Sequence, residues 1–130
     1  MRVIFLLTIA ILIFTTCDKN NDDYSSIVGE WLVEDTGDLT NYRRYEVGIQ
    51  RSPVDTSWYI ITNFYQTGIN NELTITVQGL DIIISTQQLG NYIIEGSGTI
   101  EPDYKKINLQ YEVNGGDVNY EEVISVMSRD

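Results

Sequence analysis

The chain contains no histidine, a single cysteine and only two prolines, and its 19 acidic residues face just 8 basic ones. Each shortage excludes something. Without histidine, the commonest zinc ligand and the commonest general base are both missing. A lone cysteine cannot close an internal disulfide, and Ser–His and Cys–His nucleophile pairs cannot be assembled. A formal net charge of −11 repels phosphate backbones, so nucleic acid is not an expected partner. Its length of 130 residues suits one domain, and 42% apolar content argues for a folded globule. No enzymatic activity, cofactor or metal is expected from this inventory.

The N-terminus has the composition of a processing signal. Arg2 gives a short basic start, and Val3 to Phe14 is apolar except for Thr8. That run is short for a bilayer span, which needs about 20 residues, but it suits a signal-peptide core. Thr15-Thr16-Cys17 follows, and then the hydrophilic stretch Asp18-Lys19-Asn20-Asn21-Asp22-Asp23. Small residues before a lone cysteine, with an acidic segment behind it, resemble a bacterial lipoprotein box, although Phe14 and Thr16 depart from its commonest form. The resemblance implies cleavage after residue 16 and lipidation of Cys17. It is closest in style to lipoproteins of the Bacteroidetes, where acidic residues behind the cysteine accompany surface display. A plain cleaved signal peptide or an uncleaved N-terminal anchor is the alternative. The expected organisation is signal peptide 1–16, lipidated cysteine and flexible acidic tether 17–26, and a folded domain 27–130.

Beyond Ile27 the pattern changes to short alternating segments separated by turn residues, with no sustained helical period. Ile107, Leu109, Tyr111 and Val113 alternate with Asn108, Gln110 and Glu112. Leu73-Ile75-Val77 and Tyr45-Val47-Ile49 behave in the same way. Eight strands are predicted, near 29–36, 43–51, 57–65, 72–78, 80–85, 91–100, 105–113 and 119–128. Every connection is short enough for a hairpin, which gives an all-β, antiparallel, up-and-down barrel. Closure also removes the exposed edges that an open sheet would leave. The connections 37–42, 66–71, 86–90 and 114–118 fall at one end, rich in Gly, Asn and Gln; this is the expected mouth. The tether joins the other, tighter end.

Alternation also predicts the lumen: Trp31, Val33, Tyr45, Val47, Ile49, Leu73, Ile75, Val77, Leu80, Ile82, Ile84, Tyr92, Ile94, Ile107, Leu109, Tyr111, Ile124 and Val126. Such a lining is uncharged and suits a hydrophobic or amphipathic small molecule, or equally a packed core. Gly96 and Gly98 share the inward parity; they either free lumen volume or mark a bend. Glu122, in phase with Ile124 and Val126, is either an acidic anchor inside the mouth or a solvent-facing residue displaced by a bulge. Asp35, Asp38 and Asp117 approach the upper rim but match no calcium loop. In the strand 57–65, Tyr59, Ile61 and Tyr65 are expected outside, opposite Trp58, Ile60 and Phe64. That stripe is either a candidate surface for a protein or glycan partner or, most ordinarily, a set of residues packed beneath a loop.

Gly29-Glu30-Trp31 at the first strand and Arg129 after the last resemble the lipocalin-like calycins. The Gly96–Ile100 segment, the Pro102-Asp103 turn and the Ile107–Glu112 strand resemble the small lipocalin-like lipid-binding lipoproteins of Bacteroidetes. The resemblance implies a closed-end latch of Trp31 beneath Arg129. It also implies an outer-membrane lipoprotein, facing the surface or the periplasm, and strand parity places its candidate ligand contacts at Tyr45, Val47, Leu73, Ile75, Ile82, Tyr92, Ile94, Gly96, Gly98, Leu109, Tyr111 and Glu122. The competing expectation is a filled barrel that serves as an interaction module in a surface nutrient or glycan complex, or as an inhibitor-like protein.

Overall fold

The computed structural model describes residues 24–38 and 42–130, together with the backbone but not the side chain of Val118. Cys17, the signal segment and most of the tether lie outside the described residues. Eight strands run in chain order: β1 (Gly29–Gly37), β2 (Arg43–Arg51), β3 (Trp58–Thr62), β4 (Glu72–Gln78), β5 (Asp81–Leu89), β6 (Tyr92–Ile100), β7 (Lys106–Gly115) and β8 (Val118–Ser128). Each pairs antiparallel with the next, and β8 returns to β1, so the sheet closes into an up-and-down barrel. The hairpin order explains this closure. Turns such as Gly79-Leu80 leave no length for a crossover, and closing the sheet pairs both outer strands.

Register places the apolar parity inside. Trp31 lies opposite Val47, Val33 opposite both Tyr45 and Met127, and Ile107 opposite both Ile100 and Met127. Trp31, Val33, Leu73, Ile75, Ile82, Ile94 and Ile107 are buried, as are Val47, Ile84 and Leu109. Val77 and Tyr92 are half-buried and pack against the same core.

Several expectations are corrected. Leu80 occupies the β4–β5 turn and is exposed. On β8 the parity is reversed: Val123, Ser125 and Met127 face in, whereas Ile124 is 61% exposed and Val126 half-buried. Apolar residues fall on both faces of this strand, so only its pairing with β1 and β7 decides. On β3, Ile61 is buried and Tyr59 packs on the core while Trp58 faces outward, so the expected outer Tyr59–Ile61–Tyr65 stripe is absent. The segment 86–90 is also mostly strand. β5 continues to Leu89 past a bulge between Ile84 and Gln87, and only Gly90 and Asn91 form the turn.

Gly96 and Gly98 open no space in the lumen. A Cβ on Gly96 would collide with the Gln110 carbonyl and Tyr111 Cβ, and one on Gly98 with the Asn108 carbonyl and the Leu109 side chain. The two glycines let β6 and β7 approach closely while Tyr111 and Leu109 lie across them.

At the lower end the Arg129 guanidinium lies 4.2 Å from the Trp31 ring and 3.7 Å from the Tyr24 ring. Its Nε donates to Tyr104 O (2.9 Å), Nη1 to Val28 O (3.0 Å) and Nη2 to Ser26 O. Trp31 Nε1 donates to Ile27 O at 2.8 Å. Tyr24 and Ser26, at the end of the expected tether, are therefore tied to the barrel base.

Candidate functional site

The mouth is closed by its own chain. After β3, Asn63 takes a left-handed conformation (φ 63°), and Phe64–Gln66 forms a single 3-10 turn in which Tyr65 and Gln66 are also left-handed (both φ 57°). That path sends two consecutive rings inward, where a continued strand would have sent only one. Phe64 and Tyr65 are both buried, and the expectation of Tyr65 on the outer wall is overturned. Phe64 packs on Tyr111 with ring centroids 4.9 Å apart, and Tyr65 meets Tyr92 edge-on at 5.1 Å. The segment is pinned by Asn63 Nδ2 donating to Glu46 O (2.8 Å) and by the Asn63–Gly68 pair of hydrogen bonds.

Beneath this plug the lumen holds two acidic side chains, contrary to the lining without acids expected. Asp35 is 1% exposed and Glu121 is fully buried. Asp35 follows Trp31 and Val33 on the inward face of β1, and the same parity on β8 brings in Glu121. Tyr45 and Tyr111 both donate to Asp35 Oδ2, at 2.6 and 2.8 Å. Tyr45 Oη in turn accepts from the Tyr65 backbone N–H at 3.0 Å, and Tyr65 donates its hydroxyl to Glu121 Oε2 at 2.7 Å. One chain of hydrogen bonds thus links the plug to both carboxylates. Burial, reinforced by the adjacent acids, holds the Tyr45, Tyr65 and Tyr111 phenols protonated far above the ordinary value.

Arg43 caps the cluster. Its guanidinium lies 3.9 Å above the Tyr65 ring, and Nη2 stands 3.7 Å from Asp35 Oδ2, too far for a hydrogen bond. Four buried atoms here lack a hydrogen-bond partner among the described residues: Asp35 Oδ1, Arg43 Nε, Arg43 Nη2 and Ser125 Oγ. Asp35 and Ser125 face each other across the β1–β8 pair. Buried polar groups are nearly always satisfied, so this cluster is set apart from the rest of the core.

The remaining candidates lie elsewhere. Glu122 points outward opposite Glu112, and Tyr120 donates to it at 3.1 Å. It is not an anchor inside the mouth. Together with Glu95, Ser85 and Gln110 it lines a shallow outer groove of about 450 Å³. Asp38 accepts from the Glu122 N–H on the outside, apart from Asp35. Val47, Leu73, Ile75, Ile82, Ile94 and Leu109 form the apolar body of the barrel, whereas Tyr45, Tyr92 and Tyr111 belong to the polar end. The sequence carried one signal for the missed acid: Asp35 continues the Trp31–Val33 alternation.

The fold defines an eight-stranded antiparallel β-barrel with a polar, aromatic-capped end. No family model matches the chain, and no curated protein matches it. Among solved structures, a redesigned beta barrel is similar to it at a TM-score of 0.55 and 11% identity, covering 80% of this chain and 91% of that one. At that identity the likeness speaks for the architecture.

Proposed function

We propose that the chain is a lipocalin-like lipoprotein of the Bacteroidetes type, anchored through Cys17 in the outer membrane, that binds a small amphipathic molecule at the upper end of its barrel. It acts as a binding protein rather than an enzyme, facing the surface or the periplasm. One observation carries this reading: a hydrogen-bonding cluster with unpartnered buried oxygens lies under a plug made from a strained turn. Three non-glycine residues in the left-handed region cost roughly 1 kcal/mol each. Burying two aromatic side chains returns about 1.5–3 kcal/mol apiece. The strain offsets part of what the buried rings contribute, and a ligand that fills the same space can replace the rest. Trp31 and Arg129 lie at the opposite end, so the basal joint and the plug are separate.

The test is native mass spectrometry of the full chain, released from detergent after incubation with a bacterial lipid extract. The expected result is a retained adduct of one small-molecule mass, lost when Phe64 and Tyr65 are locked in place by an engineered disulfide across the mouth. Bare protein throughout would overturn the reading in favour of a filled barrel that works by contact with a protein or glycan. The same spectra report anchoring. Lipidated protein should begin at Cys17, and C17S should remain unprocessed.

A further inference from the structure

We infer that the site under the plug takes an organic cation: an aromatic or apolar amine whose ammonium sits between Asp35 and Ser125. This rests on the binding role proposed above and specifies its ligand. The site already holds a cation, and holds it badly. Arg43 stacks on Tyr65 but stops 3.7 Å short of Asp35, with Nε and Nη2 buried and without hydrogen-bond partners among the described residues. On the other side, the Asp35 Oδ1 acceptor and the Ser125 hydroxyl are buried and without hydrogen-bond partners among the described residues. They belong to facing residues of β1 and β8.

An ammonium carries three donors on one small centre, which suits two oxygens on facing residues of adjacent strands. A guanidinium fixed to a strand end cannot follow it inward. Asp35 Oδ2 is already committed to the Tyr45 and Tyr111 hydroxyls, so the lone pairs left for a further donor are those of Oδ1. The walls match the same chemistry. Tyr92 and Tyr111 lie edge-on to Tyr65, at 5.1 and 6.3 Å, so aromatic rings adjoin the place that Tyr65 occupies, and rings of this kind attract cations. The plug itself is a template for the ligand, since it supplies aromatic rings from Phe64 and Tyr65 beside a cation from Arg43. A molecule that unites a ring and an amine would displace both at once.

Three probes of one shape separate charge from bulk: phenethylamine, 2-phenylethanol and phenylacetate. Each is titrated calorimetrically into the full chain in detergent micelles, with empty micelles as the blank. Phenethylamine should bind at least about tenfold more tightly than the alcohol, with phenylacetate rejected. Arg43→Gln removes the resident competitor and should tighten amine binding by about tenfold while leaving the alcohol nearly unchanged. Asp35→Asn keeps an oxygen for the Tyr45 and Tyr111 hydroxyls and should bring the amine down to the level of the alcohol. If Asp35→Asn does not fold, the amine-to-alcohol ratio in Arg43→Gln decides alone.

Equal binding of amine and alcohol by the wild-type chain would overturn the cation assignment and leave the binding role standing; the buried oxygens would then be served by solvent. Weaker amine binding in Arg43→Gln would overturn the competition argument. Failure of all three probes overturns the amine assignment, and a bare spectrum with the lipid extract would additionally remove the binding role.

Discussion

Arg129 and Arg43 stand at opposite ends of one barrel, each stacked on aromatic rings, and they differ in what their nitrogens reach. Arg129 donates to three backbone carbonyls, from Tyr104, Val28 and Ser26, and is sandwiched between Trp31 and Tyr24. Arg43 has a loose ion pair with Asp35 and two buried nitrogens without hydrogen-bond partners among the described residues. The first arrangement is a finished structural joint. The second leaves polar atoms buried and unsatisfied in a core that is elsewhere well matched, and proteins retain such defects chiefly where something else completes them. The base of the barrel is hydrogen-bonded throughout its arginine joint, and the mouth is not.

Alkali should break the mouth before the base, and with the largest effect. The Tyr45, Tyr65 and Tyr111 phenols are raised in the fold above their ordinary value near 10, first by burial and then by the neighbouring carboxylates. A group whose folded value is raised stabilises the fold fully below its unfolded value, and that contribution disappears as the pH climbs toward the folded one. Stability should therefore be level up to about pH 10 and then collapse, with phenolate absorbance rising cooperatively with unfolding. A gradual, non-cooperative titration of all nine tyrosines would show that the buried phenols are accessible and the cluster open.

Removing the basal joint comes next. Arg129→Ala deletes three charge-assisted hydrogen bonds and two ring contacts, and should cost about 2–3 kcal/mol in urea denaturation. It should also free Tyr24 and Ser26 from the barrel, seen as faster amide exchange at residues 27–29. A loss below about 0.5 kcal/mol would mean that the base is held by the Trp31 and Ile27 packing alone.

The strands were legible because turn residues and alternation agree over most of the chain. β7, with Ile107, Leu109, Tyr111 and Val113, shows one apolar face and one polar face, and no other register buries it. β8 was not legible in the same way. Val123 and Ile124 are adjacent, as are Val126 and Met127, so either face qualifies until Met127 is set opposite Val33 and Ser125 opposite Asp35. That one inversion moved Glu122 outside and brought Glu121 into the lumen. β3 carries the same ambiguity in Tyr59, Ile60 and Ile61, and its continuation into the plug depends on three left-handed residues that alternation cannot foretell. Asp35 was visible by parity with Trp31 and Val33. A charge at an inward position reads as a rim residue unless its partners are known, and those partners, Tyr45 and Tyr111, lie 10 and 76 residues away.

The smallest expected effect is the most discriminating. Arg43→Gln removes a guanidinium of 21% exposure whose ion pair is long, so its stability change should be about 0.5 kcal/mol or less, several-fold below that of Arg129→Ala. The two residues then form a matched pair, with the same side-chain type, aromatic stacking in both cases, and different hydrogen bonding. Equal losses in urea would mean that stacking dominates at both ends, and the contrast between base and mouth would collapse. A small gain in stability would sharpen it instead, because desolvating an ill-paired guanidinium is itself unfavourable and its removal relieves that cost. Such a gain, together with tighter amine binding in the same variant, would identify Arg43 as a cover held over a site shaped for another cation.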